Sequence, residues 1–171
     1  MVDKVLYRNA GETKQYTPIT ASAGAGDAGK IPALGSDGKL DPSMYDPGAA
    51  PSEPITASEA IGAGKFYNRF SDGGVLKARL ADNSNARPAH GFVRESVAAD
   101  AEGTGYPLDS VNDALTGLTV GTNYYLGTAG GVIAVPLDAA DAGNTGKIDQ
   151  KLGMAKSATE LVTDDYDYVV L

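Results

Sequence analysis

Leu115-Thr116-Gly117-Leu118-Thr119-Val120-Gly121-Thr122-Asn123-Tyr124-Tyr125-Leu126-Gly127-Thr128-Ala129-Gly130-Gly131-Val132-Ile133-Ala134-Val135-Pro136-Leu137 reads as two strands on a tight turn. Asn123 to Leu126 is a β-rich run. Gly130-Gly131 tolerates positive φ, as the central pair of a primed hairpin turn must. Val132 to Val135 is the return strand, and Pro136 ends it because it brings no N–H to the ladder. Upstream, Gly117 and Gly121 bracket Leu118 and Val120, so a turn feeds the first strand.

The whole composition suits that hairpin. The chain has 171 residues, 22 of them Gly and 9 Pro, which punctuates it too often for long helices and suits short strands. It carries 14 Lys and Arg against 22 Asp and Glu, a formal net charge of −8. That balance argues against nucleic acid and anionic membrane surfaces as direct partners, because both need a basic face. No apolar run approaches the length of a membrane span, so no membrane is expected as partner. The opening Met1 to Arg8 shows no apolar segment with a small-residue cleavage site, so no signal peptide is expected. With no Cys, disulfides and thiolate metal sites are ruled out.

Read in order, residues 1–17 open on Val5, Leu6 and Tyr7 and turn polar at Asn9-Ala10-Gly11. This is either a strand that adds to a neighbouring sheet or a frayed end. Residues 18–54 hold few large apolar side chains: Ile19, Ile31, Leu34, Leu40, Met44 and Tyr45. These cannot form a core against a backbone ordering cost of about 1–2 kcal/mol per residue. Ser36-Asp37-Gly38 between Leu34 and Leu40 is a turn, with Asp capping locally and Gly at positive φ. Pro47 to Pro54 reads as a linker. The expected division is therefore an extended N-terminal arm and linker over 1–54 and a β domain over 55–171.

In the second part, Lys65 to Phe70 is a strand and Ser71-Asp72-Gly73-Gly74 a turn. Val75 to Leu80 returns with Leu76, Ala78 and Leu80 on one face and Lys77 and Arg79 on the other. Asp82 to Asn85 is a polar loop. Further strands are expected at Ala89–Val97, Gly103–Leu108, Val111–Leu115 and Ile148–Ala155, the last interrupted at Gly153, with a terminal run at Tyr166–Leu171. Short strands at about 8–12-residue spacing with Gly turns indicate a mainly β fold. The expectation is a small antiparallel β-barrel or sandwich of about six to eight strands. An internal echo also runs through the chain: Asp27-Ala28-Gly29-Lys30-Ile31 matches Gly143 to Ile148, and Ile19-Thr20-Ala21-Ser22 matches Ile55-Thr56-Ala57-Ser58.

None of the chemical motifs is complete. Gly24 to Gly29 fits G-x-G-x-x-G, and Gly24 to Lys30 fits most of a P-loop. Both need a strand before and a helix after, and Ile31-Pro32 stands where a magnesium-binding hydroxyl and a helix should be. The segment reads as a Gly/Ala-rich loop. His90 is the only histidine, so a metal site or a Ser–His pair would rest on it alone. Asp164, Asp165 and Asp167 lack EF-hand spacing and read as a solvated acidic loop, as do Asp138 and Asp141. The strand tyrosines read as packing residues that keep a wet hydroxyl. No catalytic, cofactor or metal residue is assigned.

Two stretches together carry a family resemblance. Gly24 to Met44, with Gly29-Lys30-Ile31-Pro32-Ala33-Leu34-Gly35-Ser36-Asp37-Gly38-Lys39-Leu40-Asp41-Pro42 at its centre, resembles a module of tailed-bacteriophage virion proteins that precedes a globular domain. Asp72 to Asp82, Ala89 to Val93, Leu115 to Leu126 and Lys151 to Ala155 resemble a phage structural β domain, with Gly-Leu-x-x-Gly-x-x-Tyr-Tyr-Leu before the hairpin. The resemblance implies a capsid decoration (cement) protein, made in the host cytoplasm and seated on the virion's outer shell. It implies a homotrimer with the major capsid protein as partner, no enzymatic activity and no cofactor. The arm's Ile31, Leu34, Leu40, Met44 and Tyr45 are then the expected contact residues. The alternative is a tail or head fibre component that binds a host-surface glycan through Tyr124 or Tyr125 beside Asn123. A hydrolase has only abundant carboxylates in its favour.

Overall fold

The computed structural model describes residues 4–44 and 52–171. It divides into two units, Met1–Ala49 and Ala50–Leu171.

The first unit opens on a hairpin of β1 (Val5–Asn9) and β2 (Glu12–Tyr16), in register from Val5 opposite Tyr16 to Asn9 opposite Glu12. Ala10 and Gly11 both take positive φ, 51° and 86°, the geometry of a primed two-residue turn. Of the two readings of this segment, frayed end or added strand, the frayed end does not describe it: β1 is an ordered strand paired with β2. Ile19 then makes a single parallel bridge with Pro32, and short 3-10 turns sit at Ala25–Asp27 and Pro42–Met44. The turn expected at Ser36 to Gly38 is present, with Lys39 N–H donating to Asp37 Oδ1 at 3.1 Å and Gly38 at φ 74°. No described residue of this unit is fully buried. Backbone and side-chain hydrogen bonds link its turns, and among the described residues it has no cluster of buried apolar side chains.

The second unit is mainly β. Its strands are β3 (Glu53–Thr56), β4 (Phe66–Asp72), β5 (Val75–Leu80), β6 (Gly91–Phe92), β7 (Glu102–Pro107), β8 (Val111–Asn112), β9 (Asn123–Leu126), β10 (Val132–Ile133), β11 (Ile148–Ala155), β12 (Leu161–Thr163) and β13 (Tyr168–Val170). They form two antiparallel sheets in a sandwich-like arrangement. One sheet runs β3-β7-β6-β4-β5; the other runs β10-β9-β11-β12-β8, with β13 pairing β11 beside that path. The barrel expected as one alternative does not close. Just past edge strand β3, Ala57 makes one parallel bridge to Ala78 of edge strand β5, and among the described residues no ladder joins the two edges. Pro54 lies in β3, and an edge is where a missing N–H is tolerated.

Two cores result. Between the sheets lie Phe66, Phe92, Leu126, Ile148, Leu152 and Leu161, all fully buried. Within the curl of the first sheet lie Ile55, Ala57, Ile61, Tyr67, Ala78, Val93 and Val97. Strand alternation sends Phe66 to one core and Tyr67 to the other. Fully burying a side chain of this size contributes about 1.5–3 kcal/mol. The ring of Phe92 packs with Phe66 at 5.9 Å and with Tyr106 at 5.7 Å. The β5 face expected from Leu76, Ala78 and Leu80 is buried at Ala78 and half-buried at Leu80, but Leu76 runs past the core and is exposed.

The deciding hairpin forms, with Leu126 opposite Val132 and Tyr125 opposite Ile133. Its turn is one residue earlier than expected. Ala129 (φ 49°) and Gly130 (φ 66°) are the central pair, and Gly131 N–H closes the turn on Thr128 C=O at 3.0 Å. Tertiary bonds choose this register: Gly130 N–H donates to Ala81 C=O at 2.6 Å, and Gly130 C=O accepts from Phe66 N–H at 3.0 Å. Asp82 reinforces it by accepting from Ala129 N–H at 3.0 Å. The strand expected over Ala89–Val97 shortens to Gly91–Phe92, because Ala89 bonds the Gln150 side chain and Val93 and Val97 bond to Gly64, Lys65 and Ile61 instead. The interruption expected at Gly153 is a register shift in β11 between Lys151 and Gly153. Among the described residues, no helix is long and apolar enough to cross a membrane.

Candidate functional site

The contact residues expected in the arm are presented outward where they are described. Leu34 is 59% exposed, Ile31 42% and Leu40 40%, while Met44 is half-buried. Tyr45 lies outside the described residues. The reason lies in the hydrogen bonds: residues 19–44 run from turn to turn, tied by local bonds and by cross-links such as Ser22 to Ser43. Asp27 Oδ2 accepts from Ala23 N–H at 2.6 Å, Asp41 Oδ1 accepts from Ser43 N–H at 2.9 Å, and Ser43 Oγ accepts from Ser22 N–H at 2.8 Å. Such a chain fixes the backbone and leaves its few large apolar side chains without partners. The Lys30 ammonium, the would-be phosphate ligand of the P-loop pattern, is bonded to Asp27 Oδ1 at 2.5 Å. The bonds from Ala23 and Lys30 hold the Asp27 carboxyl below its ordinary range.

Tyr124 and Tyr125 have different fates. The Tyr124 ring belongs to the inter-sheet core, and its hydroxyl accepts from Thr119 N–H at 2.9 Å. Tyr125 is half-buried, next to Ile133 and Lys151 in the ladder. Asn123 Oδ1 is buried without a hydrogen-bond partner among the described residues.

Sequence reading missed a second feature, the slot between edges β3 and β5. It has room for about 100 Å³ and is lined by Glu53, Pro54, Arg69, Leu76, Lys77 and Ala78. Arg69 pairs with Glu53 and donates to the Tyr67 hydroxyl at 3.3 Å. Burial pushes the Tyr67 phenol up to about 12, so it stays protonated. Lys77 pairs with Asp72 at 2.8 Å. The charges around the slot are thus mutually engaged. No periodicity marks this place, because it arises from two strands distant in sequence whose edges converge.

No protein-family model and no curated protein matches the chain. Among solved structures, it is similar to the head fiber gp8.5 N base in bacteriophage phi29. That match has 16% identity and a TM-score of 0.43, and it covers 67% of this chain and 93% of the other.

His90 stands at the entry to β6. Its Nδ1 accepts the Arg69 backbone N–H at 2.9 Å, so the imidazole is neutral with its proton on Nε2. Burial, then the Arg69 charge, lower its pKa from the ordinary 6.5, against a smaller pull from Asp165. The unfolded chain therefore binds more protons than the folded one between the folded pKa and 6.5. This contribution to stability is complete above 6.5 and is lost as pH falls through the folded pKa. Denaturant midpoints measured from pH 7.5 to 5 are expected to fall for the native chain and to flatten for His90→Gln. Equal slopes for the two would remove His90 as the cause. Asp164 and Asp165 engage Leu152 C=O and Asp109 Oδ1 through their N–H groups. Among the described residues, no three His, Cys, Asp or Glu side chains come together.

Proposed function

We propose that the protein is a structural component of a tailed-phage head: a decoration (cement) protein, homotrimeric, that binds the outer surface of the mature shell through its N-terminal arm. The observation that carries this is the arm itself. It holds a defined backbone with no fully buried residue among those described, and it presents Ile31, Leu34 and Leu40 to solvent. A segment of this kind gains its apolar burial from a partner. The similarity of Gly24 to Met44 to the virion module supports the same role, and the major capsid protein is the partner that role names. A clamp that binds only the assembled shell stabilises it by mass action and needs no catalytic group. Three arms on one trimer would strengthen modest single contacts.

Leu34→Asp tests this in the full-length chain. Burying a leucine contributes about 1.5–3 kcal/mol, so each arm should lose at least about tenfold in affinity, and a three-armed complex more. Co-sedimentation with mature, undecorated shells should show saturable binding of the native chain and its loss in the variant. Equal binding by both would remove the arm as anchor. Absence of binding by either folded chain would end the cement reading and favour a fibre component directed at a host-surface glycan.

A further inference from the structure

The internal echo proves to be structural. Ala25-Gly26-Asp27-Ala28-Gly29-Lys30-Ile31 and Ala142-Gly143-Asn144-Thr145-Gly146-Lys147-Ile148 differ only at Asp27/Asn144 and Ala28/Thr145. Each begins with a 3-10 turn, Ala25–Asp27 and Ala142–Asn144. Each closes with a glycine at the same φ, 79° at Gly29 and 80° at Gly146. The Lys30 N–H donates to Asp27 C=O at 3.0 Å, and Lys147 N–H to Asn144 C=O at 3.0 Å. Even the lysine side chains match: Lys30 Nζ reaches Asp27 Oδ1 at 2.5 Å and Lys147 Nζ reaches Asn144 Oδ1 at 3.1 Å. A preceding Pro-apolar pair crosses both. Ile19, after Pro18, bonds Ile31 C=O and Ala33 N–H; Leu137, after Pro136, donates to Asp149 Oδ1 at 3.3 Å.

The copies differ in what lies along the strand that follows. In the second copy, β13 runs antiparallel beside it, with Val170 opposite Ile148 and Val169 opposite Asp149. Gly146 N–H donates to Leu171 C=O at 2.7 Å, and Lys147 C=O accepts from Leu171 N–H at 2.9 Å. Ile148 itself is fully buried in the core between the sheets. In the first copy Ile31 is 42% exposed. Gly29 N–H and Lys30 C=O, the equivalents of the two groups that Leu171 engages, have no partner among the described residues. Pro32, at the position of Asp149, removes one further donor but keeps its carbonyl.

We propose that the open edge at Gly29 to Pro32 accepts an antiparallel strand from a second copy of this chain, and that this strand is β1. The second copy of the motif defines what fits: a short extended segment with an apolar residue opposite the isoleucine. β1 has that chemistry. Val5, Leu6 and Tyr7 are 40%, 63% and 43% exposed, and β1 pairs only with β2, so its other edge is open. An open edge with exposed apolar residues on both faces is a template for strand addition. Each chain then gives one strand and receives one. Such a head-to-tail contact closes into a ring when its rotation allows, and three copies is the number the preceding section proposes. The inference rests on the oligomeric part of that reading only, and shell binding does not enter it.

The test uses full-length chains without shells, with mass followed by sedimentation velocity over a wide concentration range. The native chain is expected to associate. Leu6→Asp spoils the given strand and Ile31→Asp the receiving edge; each alone should weaken association at least about tenfold. Val135→Asp, exposed in the other unit, should leave association unchanged. The decisive sample mixes the Leu6→Asp and Ile31→Asp chains. One intact strand and one intact edge remain between them, so one-to-one pairs should form and growth should stop there. A monomeric native chain at every concentration overturns the proposal. So does association insensitive to both variants, or a mixture that stays as monomeric as its parts.

Discussion

Gly153→Ala is expected to remove about 4 kcal/mol or more of unfolding free energy from the 52–171 unit, among the larger effects a single methyl can have. Gly153 sits at the register shift of β11 with φ 153°, a conformation that side chains on L-residues rarely adopt. A Cβ built there lies 1.9 Å from Val162 C=O and 2.9 Å from Thr163 Cα. Both obstacles are backbone of the paired strand β12, so no side-chain rotation relieves them. The backbone would have to part where β12 and β9 both bond β11, beside fully buried Leu152 and Leu161. Guanidinium denaturation of the variant is the check. A midpoint within error of the native one would mean that β12 yields easily, and that the close approach at Gly153 is incidental.

Gln150→Met should cost about 3 kcal/mol, although it preserves size and shape. The Gln150 side chain is 3% exposed and binds both backbone groups of Ala89: its Oε1 accepts from Ala89 N–H at 2.7 Å, and its Nε2 donates to Ala89 C=O at 3.0 Å. The side-chain amide thus takes the place of a strand neighbour for a residue that lies outside any ladder. Nε2 also donates to Tyr166 C=O at 3.3 Å. Methionine leaves the N–H and C=O of Ala89 buried and unpaired, at about 1–3 kcal/mol each. Because the volume is nearly conserved, little of the loss comes from a cavity. A loss under about 1 kcal/mol would show that water reaches Ala89 and that the amide bridge matters little.

Much of this fold could be read from local pattern. The β4–β5 hairpin was visible because apolar alternation flanks Gly73-Gly74, and both strands and turn follow from neighbours in sequence. The hairpin at Asn123 to Ile133 was equally visible, but its turn slid by one residue, because Ala81 and Phe66 bond Gly130 from far away in the chain. The same limit applies to the short β6, where Val93 and Val97 leave the ladder for Ile61 and Lys65. Whether the strands close a barrel could not be read at all, since closure depends on whether β3 and β5 pair, and nothing local sets that. At the candidate surface, Ile31, Leu34 and Leu40 were legible as apolar residues in a segment too sparse to bury them. Tyr124 looked the same as Tyr125 in sequence, and only strand alternation against the second sheet separates a core ring from a half-buried one. The slot at Glu53 and Arg69 carries no local signal.

Strand β4 gives Phe66 to the core between the sheets and Tyr67 to the core inside the first sheet, and the two positions are consecutive. The two cores are therefore not separate structural reserves. Displacing β4 withdraws a fully buried aromatic ring from each core at once, so the two cores are coupled through one strand. For a protein proposed to clamp a shell, the consequence is mechanical: load carried by either sheet reaches both cores through β4.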